Sequence, residues 1–279
     1  MKYKSGILCV VCLFITTAAT AEGLSLTLGQ IQGGLVQGKT TPDSKVTLNG
    51  TAVVVSDTGI FVIGFGRDAK PIASLVARLP NGKTITRKIY VKQRKYKIER
   101  ITGLPSRKVS PTKHDITRII VERDQMRAAH GVISGMTKFS HGFIWPAKGR
   151  ISGVYGSQRI LNGKPRRPHL GVDIAAPEGT PIIAAGDGTV VLVHEDMFFT
   201  GKTVLIDHGL GVGTTYTHMS AIDVKLDESV KRGQQIGRIG KTGRATGPHL
   251  HWGLTWRGLR LDPALLIGDN PQGVKHNFN

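Results

Sequence analysis

The chain has 279 residues, 39% of them hydrophobic, so it can bury a core and is long enough for two domains; a disordered, tail-like protein is excluded. Lys+Arg number 38 against 19 Asp+Glu, a balance that points to anionic partners such as cell-wall polymers, phospholipid headgroups or lipopolysaccharide. No nucleic-acid-binding motif is present, so nucleic acid is not an expected partner.

Lys2 and Lys4 precede an apolar run from Ile7 to Ile15, and Ala19-Thr20-Ala21 places small residues at a cleavage spacing. Residues 1–21 therefore read as a secretory signal peptide, too short to cross a bilayer as a stable helix. Cys9 and Cys12 lie deep in the apolar run, outside any lipobox. Cleavage removes both, so no disulfide or thiolate remains and any metal is left to histidine and carboxylate. The expected location is outside the cytoplasm, in the periplasm or cell envelope.

Residues 22–95 alternate short apolar runs with turn signals, Asn49-Gly50 and Asn81-Gly82 being strong hairpin markers. This predicts an immunoglobulin-like β-sandwich accessory domain. Residues 96–141 form a basic linker with one helix, capped by Ser110 with Pro111 at its first position. Ile116, Ile119 and Ile120 would make its packing face, and Gly131 its stop. Residues 142–268 are again β-rich and dense in glycine, with strands expected at 190–193, 203–206, 214–216, 235–239 and 250–254. No βαβ rhythm appears, so the fold class is all-β, mostly antiparallel, in two domains. Residues 269–279 read as a loose tail.

Three segments of the second half carry chemistry. His169-Leu170-Gly171-Val172-Asp173 places His169 and Asp173 on one face if the stretch is extended. His249-Leu250-His251 does the same for its two imidazoles, and Tyr216-Thr217-His218 adds a fifth polar group. Two imidazoles and a carboxylate can close three sides of a zinc tetrahedron and leave the fourth to water, the layout of a catalytic site. Either segment alone is also readable as an ion pair or as satisfied histidines. Spacing does not say whether His249 or His251 takes the metal. His114, His130, His141 and His276 read as surface residues, and His208 as a hairpin cap. His194-Glu195 lacks the second histidine of a His-Glu-x-x-His helix. Tyr216 reads as a packed strand residue. The basic stretch from Gln158 to Pro168 is either a groove lining or a turn.

These segments resemble the M23 peptidase family, the lysostaphin or LytM-type metallopeptidases. His169-x3-Asp173 is similar to its first zinc motif, His249-x-His251 to its last, and Tyr216-Thr217-His218-Met219 to its Tyr-x-His-Leu segment, with Met for Leu. Trp145-Pro146, the run 152–156, the run 175–181, the run 186–190 and the stretch 243–248 agree as well, so the resemblance covers residues 143–267. It implies a LytM-type β-sheet peptidase domain in which His169, Asp173 and His251 hold one Zn2+ per chain. His218 and His249 would then be the catalytic imidazoles, with the role of general base left open between them. The implied activity is endopeptidase hydrolysis of peptidoglycan cross-links by a metal-activated water. The alternative is a non-hydrolytic wall-binding or amidase-activating module, as in relatives that have lost ligands; here all are present. A peptidase of glycine-rich proteins is a weaker reading. Implied partners are peptidoglycan peptides, an anionic envelope surface and a regulatory envelope protein.

Overall fold

A computed structural model describes residues 23–267. The signal peptide and the tail expected from the sequence lie outside these residues. Among the described residues no helix is long and apolar enough to cross a membrane.

The N-terminal unit holds strands β1 (Leu24–Leu26), β2 (Leu35–Thr40), β3 (Lys45–Leu48), β4 (Thr51–Val53), β5 (Ile60–Gly64), β6 (Ile72–Arg78) and β7 (Thr84–Tyr90). They form two antiparallel sheets, β1-β2-β5 and β4-β3-β6-β7. Val36, Phe61 and Ile63 of the first sheet and Val46, Leu75 and Ala77 of the second meet in one core. Asn49-Gly50 makes the two-residue turn between β3 and β4, both residues having positive φ (50° and 79°), the backbone that a tight hairpin requires.

The core of this unit does not end at its own strands. Leu210, Val212, Leu254, Trp256 and Leu261 from the C-terminal half belong to the same cluster. A buried ion pair, Arg94 to Asp262 at 2.8 Å, stitches the same seam.

Strand β8 (Ile98–Ile101) follows, then helices α1 (Ser106–Val109) and α2 (Lys113–His130). The long helix starts later than the sequence suggested. Its N-cap is Thr112, whose hydroxyl accepts from the Asp115 amide while the Asp115 carboxylate takes the Thr112 amide, so two orphan donors are satisfied reciprocally. Ser110 instead ends α1. Gly131 does close α2, as its C-cap. The expected apolar face is not the docked one: Ile116 and Ile120 are 46% and 43% exposed, whereas Asp115, Glu122 and Ala129 are buried. Polar contacts hold the helix. Glu122 Oε2 accepts from the Phe198 amide at 2.7 Å, and Arg118 pairs with Asp196 at 3.0 Å. His130 is also buried, contrary to its reading as a surface residue, with Nδ1 3.2 Å from the Thr255 hydroxyl.

The C-terminal half contains β9 (Arg150–Gly153), β10 (Gln158–Leu161), β11 (Lys164–Pro165), β12 (Val172–Ala175), β13 (Pro181–Ile183), β14 (Gly188–Met197), β15 (Gly201–Gly209), β16 (Val212–Ile222), β17 (Ser229–Val230), β18 (Gln235–Ile239), β19 (His249–Trp256) and β20 (Leu259–Leu261). Its main sheet runs β17-β14-β15-β16-β19-β12-β9, with β13, β18 and β20 paired at its margins, and every ladder in it is antiparallel. One face is apolar: Val172, Ile174, Val204, Ile206, Tyr216, Leu250 and Trp252 pack in a second core. By alternation the other face of β12 and β19 is free for polar groups. The basic stretch 158–168 is an ordered hairpin, β10 with β11, and β10 pairs in parallel with β8. Leu161 closes a small cluster there with Leu104 and Val109.

Candidate metal and catalytic site

On β19, Leu250 and Trp252 point into the core, so His249 and His251 point the other way. The antiparallel register sets Asp173 of β12 directly opposite His251. His169 precedes β12 rather than lying on it, so its arrival at the site does not follow from strand alternation. Its backbone is pinned instead by hydrogen bonds with Ser157 (2.8 Å) and Gly156 (2.7 Å). The three side chains converge. His169 Nε2 lies 3.0 Å from Asp173 Oδ1 and 2.9 Å from His251 Nδ1, and His251 Nδ1 lies 2.7 Å from the same Oδ1.

Hydrogen bonding fixes what these atoms offer. His169 Nδ1 lies 3.0 Å from the Val154 carbonyl, which can only accept, so Nδ1 carries the hydrogen and a neutral ring presents a lone pair at Nε2. A carboxylate oxygen and two imidazole nitrogens facing one another call for a proton or a cation between them. A zinc ion bonded at 2.0–2.1 Å sets its tetrahedral ligands about 3.3 Å apart, only a few tenths of an ångström wider than this triangle. The donor set therefore fits zinc. Burial would raise the Asp173 carboxyl, but the charges and hydrogen bonds of His169 and His251 outweigh it and hold it well below the usual carboxylate range. Burial pushes His251 down to about 4, against the pull of Asp173.

His218 reaches the site through an irregularity. Val204 pairs with Tyr216 and Lys202 with Met219, so the single residue Thr203 opposes both Thr217 and His218. His218 occupies the left-handed region at φ 63°, an uncommon conformation for a side chain of this size. A bulge of this kind re-aims a side chain, and the His218 ring ends 4.7 Å from that of His249 and 6.3 Å from that of His251. Tyr216 does not share this placement. It is buried in the core, its hydroxyl accepting from the Ala185 amide. His218 Nδ1 donates to the Thr242 carbonyl at 2.8 Å and His249 Nδ1 to the Gly247 carbonyl at 2.9 Å, so each neutral ring keeps Nε2 free to accept a proton. Burial, then the neighbouring His249 and His251, push His218 down to about 3, which keeps it neutral at neutral pH.

Sequence reading missed three contributors. Arg159 Nη2 donates to Asp173 Oδ2 at 2.7 Å, leaving Oδ1 for the histidines, and Glu99 of β8 lies 3.7 Å from the same guanidinium. Gly171 and Gly153 make room: a Cβ on the first would stand 2.6 Å from His251 Cε1, and one on the second 2.5 Å from Asp173 Oδ2. The signals were a basic stretch beside the His169 segment and glycines next to candidate ligands. His208, expected as a hairpin cap, stands near the end of β15 beside its hairpin with β16. It is buried, with Nδ1 on the Asp187 carbonyl and Nε2 on the Thr214 hydroxyl. His114 and His141 are exposed, and His276 lies outside the described residues.

Residues 167–263 match Peptidase family M23. A solved Pseudomonas aeruginosa structure assigned to peptidase M23 is 31% identical, covers 85% of this chain and 94% of its own, and superposes with a TM-score of 0.66. The chain belongs to peptidase family M23. Over 113 residues it is 45% identical to the peptidoglycan DD-endopeptidase ShyA of Vibrio cholerae, and over 123 residues 39% identical to the DD-carboxypeptidase/endopeptidase Mpg of Neisseria meningitidis. These stretches cover 40% and 44% of this chain but 26% and 28% of the relatives, so the match spans about a quarter of their length.

Proposed function

We propose that this chain is an exported zinc endopeptidase that hydrolyses peptide cross-links of bacterial peptidoglycan, acting in the periplasm or cell envelope. The observation that carries the reading is the triangle of His169 Nε2, Asp173 Oδ1 and His251 Nδ1, with edges of 2.7 to 3.0 Å, beside two imidazoles whose Nε2 atoms are free. The names of the similar proteins, a DD-endopeptidase and a DD-carboxypeptidase/endopeptidase, supply the substrate class.

His169, Asp173 and His251 would hold one zinc ion, which when bound supplies Lewis acidity to polarise a carbonyl and acidify water. Asp173 contributes the negative charge of the set, and Arg159 keeps its second oxygen turned away. Either His218 or His249 can accept the proton of the attacking water at its bare Nε2 and return it to the leaving amine; the other would donate to the developing oxyanion only after taking up a second proton from solvent, which suits His218 less, since burial and its neighbours hold it neutral. Backbone carbonyls at both Nδ1 positions fix the ring tautomers for this work.

Mass spectrometry of sacculi digested with the zinc-loaded chain tests the reading. Products whose masses correspond to opened interpeptide links, abolished by a chelator and restored by zinc, are expected. Intact cross-links at full zinc occupancy, together with stimulation of a separate amidase, would replace this reading with the activator one.

A further inference from the structure

Beside the metal triangle stands a second cluster that the mechanism above does not use. Arg244 stands two residues after Thr242, the residue whose carbonyl fixes His218, and its own amide donates to the Phe199 carbonyl at 2.8 Å. The His218 amide donates to Thr200, the neighbour of Phe199. Arg244 and Phe199 are thus tied to the two chain segments that hold His218. The Arg244 guanidinium lies over the Phe199 ring, 4.5 Å from its centroid, a stacked placement that orients the fork.

The charge around it is one-sided. Arg159 has carboxylate partners in Asp173 and Glu99. The Arg166 guanidinium donates to the carbonyls of Val109 at 2.7 Å and Pro165 at 3.0 Å. Arg244 has no carboxylate partner among the described residues, and burial, then the charges of Arg159 and Arg166, push it down to about 10. A half-buried cation without a counter-ion is costly, and an anion supplied from outside would relieve it.

We propose that Arg244 is a subsite for a carboxylate borne by the substrate peptide next to the bond that is cut. This rests on the peptidase reading and sharpens it: the favoured substrate is a peptide whose free carboxylate flanks the scissile amide, not a neutral glycine-rich stretch. Arg159 stays with Asp173 and does not bind the carboxylate. The planar fork of Arg244 suits bidentate contact with it.

The test compares one N-acetylated peptide ending in D-Ala-D-Ala as its free acid and as its C-terminal carboxamide. Binding is measured by calorimetry to the zinc-loaded His218→Ala chain, and hydrolysis with the zinc-loaded unaltered chain. The acid is expected to bind at least tenfold more tightly, with its advantage in hydrolysis lying in KM rather than kcat. Arg244→Gln should bring the acid-to-amide ratio within about twofold, and Arg244→Lys should keep part of it, zinc content and circular dichroism showing that both variants fold. Equal binding of acid and amide by the Arg244-containing chain overturns the subsite, as does a ratio that survives Arg244→Gln. If neither peptide is hydrolysed, the binding ratio still decides the subsite, and the sacculus digestion decides the peptidase reading. If both are cut with equal kcat/KM and bound alike, the peptidase stands and the subsite falls.

Discussion

At the scale of single residues, the proposed assignment separates groups that would hold the metal from groups that would move protons, and substitutions test that separation. His169→Ala is expected to abolish stoichiometric zinc in dialysed protein. His218→Ala should retain zinc and lose turnover by about 10²–10⁴-fold, the usual worth of a positioned proton acceptor. Equal loss of metal in both would reverse the assignment. Gly171→Ala places a methyl 2.6 Å from the His251 ring and 2.6 Å from the Trp252 carbonyl. One neighbour is backbone, so the strain is not easily relieved, and a loss of roughly 1–3 kcal/mol in denaturant unfolding together with weaker zinc binding is expected. The His249-x-His251 spacing was legible because alternation along one strand is a nearly local property; His169-x3-Asp173 was legible only as a motif, since His169 precedes β12 and is placed by its bonds with Gly156 and Ser157. Arg159 was not legible, because its reach to Asp173 depends on where the β10 strand is placed by pairing with a segment some sixty residues away.

At the scale of elements, periodicity told the truth about strands and misled about the helix. The strand at 235–239 is found with those bounds, and the first four residues of β19 alternate site and core as their sequence alternates. The helix has isoleucines at helical spacing, yet it docks through Glu122 and His130, because what it meets is the turn after β14, which offers the buried Phe198 amide, and the Thr255 hydroxyl of β19. Glu122→Ala should therefore cost about 1–3 kcal/mol by leaving that buried amide unsatisfied. Ile120→Ala should stay within about 0.5 kcal/mol, both read by urea denaturation. The bulge at Thr217–His218 was equally invisible, since no single residue announces a left-handed histidine; it follows from the Thr200 and Thr242 contacts that seize His218 from two sides.

At the scale of the whole molecule, buried histidines make the fold acid-sensitive. Burial holds His208 near 4 and His130 near 2, both below the ordinary value of 6.5. Between those folded values and 6.5 the unfolded chain binds protons that the folded chain refuses, so stability falls as pH falls. The expected slope is about 1.4 kcal/mol per pH unit for each such group. The unfolding midpoint of metal-free protein should be level above pH 7 and drop steadily from pH 6.5 to 4; His208→Asn should flatten part of that drop if the amide keeps the Thr214 contact. A midpoint indifferent to acid over this range would contradict the burial.

The apolar seam between the halves has one more consequence. Trp256 and Leu261 fill space against Gly64, and Leu259 against Gly66, so no clean plane exists along which the catalytic half can be lifted away. A protease that nicks the connecting stretch of native protein should yield two fragments that travel together through a sizing column. A catalytic half produced alone would present a bare greasy flank, and its failures in solution would report that missing neighbour rather than any defect in its chemistry.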